Sequence, residues 1–136
     1  MFKFKHKIQY YETDRMGITH HSNYIRFMEE GRTAYLEENG CAYDKLEAMG
    51  VVSPVLSVNC DYKASTTYGD TLAISVTVTK YNGITLEFSY VMEKEDGTVA
   101  CVASSSHCFV SGGGAPVIVK RAYPELHEKL LALVTK

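Results

Sequence analysis

Along residues 2–10 the even positions are Phe2, Phe4, His6, Ile8 and Tyr10, and the odd ones are Lys3, Lys5, Lys7 and Gln9. That period of two predicts a strand with one buried face. Residues 12–23 mix carboxylates, Gly17, two adjacent histidines, Ser22 and Asn23 with neither a helical nor a strand period, so a loop is expected there. Tyr24, Phe27, Met28, Gly31, Tyr35 and Leu36 then recur at three- and four-residue spacing until Asn39-Gly40 supplies a stop. With Ser22 or Asn23 as the cap, they predict the main helix over 24–38, its apolar stripe enclosed by sheet.

A short turn or helix is expected at 43–49, and Gly50 and Pro54 then punctuate the chain. Four β-prone segments follow at 55–62, 71–81, 84–93 and 98–110, separated by Gly69-Asp70 and the hairpin dipeptides Asn82-Gly83 and Asp96-Gly97. Leu72, Ile74, Val76 and Val78, then Ile84, Leu86, Phe88, Tyr90 and Met92, alternate so as to share one inward face. These strands are expected to form an antiparallel meander. Gly112-Gly113-Gly114 reads as a bend, and Pro124 with Leu126, Leu130 and Leu131 as a closing amphipathic helix with proline in its first turn. One strand, one long helix and a run of antiparallel strands make an α+β domain whose sheet covers the helix.

The length of 136 residues fits one domain, 1–136, and is small enough for oligomerisation to add useful buried area. Fourteen basic and 16 acidic residues, a formal net charge of -2 and no long like-charge block leave no footprint for nucleic acid. The N-terminus lacks an apolar segment of signal-peptide length and no stretch is long enough to span a bilayer, so a cytoplasmic protein without a membrane span is expected. Cys41, Cys60, Cys101 and Cys108 form no C-x-x-C pair and read as reduced thiols in or near the core.

The candidate chemistry lies in the loop before the helix. The stretch YYETDRMGITHHSNYIRFMEEGR, with Asp14, Gly17, His21 and Tyr24 in order, resembles the signature of the 4-hydroxybenzoyl-CoA-type acyl-CoA thioesterases. The likeness runs on through Pro54, the segment 55–62 and Gly69-Asp70, although only the first stretch is specific. It implies the hotdog fold, an antiparallel sheet wrapped around one long central helix. It also implies a homo-oligomer, a dimer or a homotetramer built of two dimers, with the pocket at the subunit boundary. The implied activity is hydrolysis of an acyl-CoA or acyl-carrier-protein thioester to free acid and thiol, with no cofactor and no metal. Carried over residue by residue, the D-x-x-G aspartate that acts as nucleophile or base falls on Asp14, and the backbone N–H donor falls on His21. Gly17, His20, Ser22, Asn23 and Tyr24 are the expected substrate-binding positions.

The chemistry is coherent without the resemblance. Thioester hydrolysis needs a nucleophile or base on one side of the carbonyl and hydrogen-bond donors on the other. A helix N-terminus offers N–H groups without intrahelical partners and a dipole that favours a developing oxyanion. Asp14 reaches that terminus only if the loop folds back, which Gly17 permits. Alone, Asp14 would read as a turn-former or cap. Glu12, two residues before it, reads as solvated or paired with Arg15 or Arg26.

His20 and His21 with Asp14 and Glu12 make a poor metal site, since adjacent side chains usually diverge and no second histidine spacing supports them. His107, in the alternating run Val99, Cys101, Ala103, Ser105, His107, Phe109, reads as a satisfied core residue. Ser104-Ser105-Ser106 lacks the G-x-S-x-G setting of a nucleophile, and Cys41 or Cys60 would need a histidine close in space. Lys63, Lys80, Lys94, Lys120 and Arg121 are candidates for the phosphates of coenzyme A, none of them specific. Two other functions suit the same features. One is an acyl-thioester hydratase or dehydratase, which would need a histidine side chain as acid or base. The other is a non-catalytic acyl-CoA-binding module, which would not need Asp14.

Overall fold

The computed structural model describes residues 2–134. Strand β1 (Lys3–Lys7) is followed by a 3-10 turn at Tyr10–Glu12, helix α1 (Asn23–Glu38), helix α2 (Tyr43–Ala48) and strand β2 (Val51–Val52). Then come β3 (Val55–Tyr62), β4 (Thr71–Tyr81), β5 (Thr85–Glu93), β6 (Val99–Cys108) and β7 (Val110–Ser111), and helices α3 (Val119–Ala122) and α4 (Pro124–Leu133). Five strands form one antiparallel sheet in the order β1-β4-β5-β6-β3, and β2 and β7 pair separately.

Only β4, β5 and β6 form the expected meander. β3 lies at the far edge beside β6, and residues 63–70 carry the chain back across the sheet to β4. The expected segment 98–110 is cut at Phe109, whose buried side chain separates β6 from β7. Tyr10 and Ile84, expected inside, are exposed: β1 has ended before Tyr10, and Ile84 sits in the turn before β5.

Helix α1 lies against the sheet through Tyr24, Phe27, Met28, Gly31, Arg32 and Leu36, all buried. The inward set of β4 and β5, from Leu72 to Val78 and from Leu86 to Met92, completes the core under it. Tyr35 is half-buried and meets Phe2 and Phe88 edge-on. At Gly31 the two layers approach so closely that an added Cβ would sit 3.1 Å from the Cγ2 atoms of both Ile74 and Val76. Helix α4 begins on Pro124 and buries Leu126 and Leu130, whereas Leu131 points outward on the opposite side of the helix. No helix among the described residues is long and apolar enough to cross a membrane.

One polar chain runs through this core. The Arg32 guanidinium donates to the hydroxyls of Tyr43 (2.9 Å) and Tyr90 (3.1 Å). The Tyr90 hydroxyl lies 2.6 Å from that of Ser105, which in turn lies 2.8 Å from His107 Nε2. His107 is therefore a buried, hydrogen-bonded core residue, as its place in the alternating run predicts. Burial, helped by the Arg32 charge, pulls its pKa down to about 4.

Candidate active site

The loop between β1 and α1 is a tight hairpin. Thr13 and Thr19 bridge across it, Asp14 N–H donates to Ile18 O, and Gly17 N–H returns to Asp14 O. Gly17 stands at φ 78°, a conformation that costs a residue with a Cβ and that closes the turn. Asp14 Oδ1 accepts the Met16 N–H at 2.8 Å, so the turn itself orients the carboxylate. Asp14 Oδ2 receives no hydrogen bond from the described residues.

Beyond the hairpin the chain turns through His20–Asn23 into α1, with Asn23 N–H donating to His20 O. Neither expected cap forms at its start. Ser22 is itself close to helical, and its Oγ pairs with His20 Nδ1 at 2.8 Å, while Asn23 Nδ2 donates to Glu12 O at 2.9 Å. The His20 and His21 rings stack at 4.3 Å rather than diverging. The His21 N–H meets no acceptor among the described residues, whereas His21 O accepts from the Tyr62 hydroxyl at 3.1 Å.

Asp14 and His21 line one open cleft of about 320 Å³, with Met16, Ile18, Thr19 and Tyr24 on one wall and Tyr62, Lys63, Ala64 and Ser65 on the other. Of the expected substrate-binding positions, Tyr24 is on the wall. Its hydroxyl points inward to Thr66 Oγ1 at 2.9 Å, and Thr66 in turn lies 2.6 Å from Thr19 Oγ1. Gly17 shapes the turn beneath the cleft, its carbonyl held by Thr67 Oγ1 at 2.8 Å. His20 and Ser22 are exposed beside the helix start, outside the cleft wall. Sequence reasoning missed Tyr62 and the Thr19–Thr66 pair, because each depends on residues 62–66 returning to the loop across more than forty positions.

Glu12 is neither solvated nor paired with arginine. It is buried, its Oε1 accepting the Gln9 N–H at 2.7 Å and lying 2.9 Å from His6 Nε2, while its carbonyl accepts the His20 N–H at 2.8 Å. His6 is the signal that could have found it: an imidazole on the inward face of β1 needs a polar partner, and Glu12 is the first carboxylate along the chain.

The other candidate groups stand apart. All four cysteines are free, and burial raises the pKa values of Cys41, Cys60 and Cys101, the last to about 12, which suits inert thiols rather than nucleophiles. Of the basic candidates, Lys63 borders the cleft. Lys94 reaches Asp70 and the Ser65 carbonyl, and Lys120 lies beside Gly83 at the opposite end of β4.

The profile of the thioesterase-like superfamily matches residues 8–132. The chain belongs to that family. It is 36% identical over 122 residues to a Bacillus subtilis (strain 168) protein named "Putative acyl-CoA thioesterase YneP", covering 89% of this chain and 88% of the relative. It is also similar to a solved DHNA-CoA thioesterase from Staphylococcus aureus, with a TM-score of 0.92 and 28% identity over 96% of this chain and 88% of that one. A hypothetical protein from Aquifex aeolicus superposes with a TM-score of 0.88 and 35% identity, covering 96% of this chain and 99% of its own. This superfamily member is thus a hotdog-fold thioesterase, and its α1 is the helix around which the sheet wraps.

Proposed function

We propose that the protein hydrolyses an acyl-CoA thioester, or the matching acyl-carrier-protein thioester, with Asp14 as nucleophile or general base and the His21 N–H as the oxyanion donor. The observation that carries this reading is one cleft lined by a carboxylate oriented by its own turn and by a residue whose N–H has no acceptor among the described residues. With the thioester carbonyl oxygen directed at that N–H, charge developing on the oxygen is stabilised by the N–H and by the start of α1. Asp14 then either attacks the carbonyl carbon, expels the thiolate and forms an anhydride that water opens to the free acid, or takes a proton from the water that attacks the carbon and expels the thiolate. The names of the relatives, two of which specify coenzyme A thioesters, support the acyl-CoA substrate.

Gly17, His20, Ser22, Asn23 and Tyr24 are proposed to shape and rim the acyl site. The working unit in this reading is a cytoplasmic dimer, or a dimer of dimers, joined at the free edge of β3. Release of free thiol from a panel of acyl-CoAs, followed with a thiol reagent, tests the activity. Asp14→Asn should lower turnover about 100-fold or more without changing the melting temperature, because it removes the reactive charge and keeps the shape. Hydrolysis by Asp14→Asn at the parental rate would rule out the assignment. A single turnover in ¹⁸O-labelled water with parallel hydroxylamine trapping separates the routes: label in Asp14 or a trapped acyl-Asp14 marks direct attack, and label only in the released acid with no trapped acyl-enzyme marks activated water.

A further inference from the structure

His6 lies outside the cleft, yet both of its ring nitrogens face carboxylates. Nε2 is 2.9 Å from Glu12 Oε1, and Nδ1 is 3.1 Å from Glu30 Oε2. The Nε2 contact is a hydrogen bond and the Nδ1 contact a close approach, so one ring bridges two carboxylates on separate elements. The ring also packs on Phe27, with centroids 4.2 Å apart. On the remaining side, β4 sets apolar Leu72 opposite His6, and the one charged residue of β4, Lys80, lies at its far end. His6 thus ties β1 to the loop through Glu12 and to α1 through Glu30.

The tie continues to the cleft. Glu12, held by His6 and by Gln9 N–H, uses its own carbonyl to accept both the His20 N–H (2.8 Å) and Asn23 Nδ2 (2.9 Å). These bonds fasten the last residues of the loop, where His21 presents its N–H. Thr13, next to Glu12, opens the hairpin that holds Asp14. We infer that His6, bridging Glu12 and Glu30, is a positioning residue that sets Asp14 and the His21 N–H for the hydrolysis proposed above. The inference rests on that reading for its effect on turnover, but not for its effect on the loop.

The test pairs kinetics with amide hydrogen exchange in the full-length protein. His6→Phe keeps a flat ring against Phe27 and removes both ring nitrogens. Because misplacing reacting groups slows chemistry more than it weakens ground-state binding, kcat should fall roughly tenfold with KM held within about twofold, well below the melting temperature. Exchange at the His20 amide should quicken about tenfold or more, while the Phe88 amide in the central sheet keeps the parental pattern. Should His6→Phe not fold, Glu30→Ala, which removes only the half-exposed outer anchor, should show the same pattern with smaller changes.

Parental kcat together with parental His20 exchange in the variant that folds would overturn the inference. So would a higher KM at unchanged kcat, which would place His6 in substrate binding. If neither parent nor variants release thiol from any acyl-CoA, the hydrolytic reading fails, and the His20 exchange still decides whether His6 sets the loop.

Discussion

Asp14 acts at two levels. Its Oδ1 closes the turn by accepting the Met16 N–H, and this same bond fixes which way Oδ2 faces. A turn-former and a reactive carboxylate are therefore compatible in one residue, provided that the turn uses only one oxygen. His107 shows the opposite use of a polar side chain, buried in the core with its Nε2 joined to Ser105. Its pKa falls from 6.5 to about 4 because burial, then the Arg32 charge, disfavours the cation. The unfolded chain therefore binds the proton at a higher pH than the folded chain does. This histidine should have no effect on stability above its unfolded pKa, and should destabilise the fold increasingly as pH drops from 6.5 toward 4. The loss approaches about 3 kcal/mol. Urea unfolding at about pH 7 and about pH 4.5 should show parent losing more stability than His107→Asn by a margin of that order. Equal losses would mean that the folded state accommodates the charged ring.

At the scale of elements, the contact between α1 and β4 is set by Gly31. Alanine there would improve helix propensity by about 1 kcal/mol, but its Cβ would press on the branched side chains of Ile74 and Val76, which have little rotamer freedom. Overpacking typically costs about 1–3 kcal/mol, so Gly31→Ala is expected to lower stability by about 1 kcal/mol net. A urea midpoint equal to or above the parental one would show that the layers can separate at no cost.

The apolar period placed α1 to within a residue and matched β3 and β4 end to end, since a period reports which side of an element is buried. It carries no information on which strand lies next to which. Hence β3 beside β6, and the small β2–β7 pair, were not legible. The candidate site divides in the same way. Asp14, Gly17 and His21 sit in one contiguous stretch whose resemblance to a family signature named them, whereas Tyr62, Thr66 and the His6–Glu12–Glu30 bridge exist only once distant segments meet.

For the whole molecule, the unsolved surface is β3. Among the described residues it pairs on one side only, with β6, which leaves its other backbone edge unpaired. Cys60 reaches Met28 and Tyr62 meets Tyr24 on the helix side of the sheet, so Val58, Cys60 and Tyr62 face α1, yet Val58 and Tyr62 remain 39% and 48% exposed, as does Leu56 at the bulge before them at 57%. An unprotected apolar edge of this length invites another strand, and a second copy satisfies it symmetrically by pairing β3 with β3 across a two-fold axis. The same contact would bring the partner beside Tyr62, hence beside the open wall of the cleft. Light scattering at micromolar concentration should give two or four times the mass of the chain. Val58→Lys, which sets a charge among the apolar side chains of that edge, should shift the mass toward that of one chain and lower thiol release about tenfold or more. Ile84→Lys, at an exposed apolar position in the turn before β5, should change neither. A parent that is monomeric and fully active would refute the pairing, and the cleft would then have to work with the wall that one chain provides.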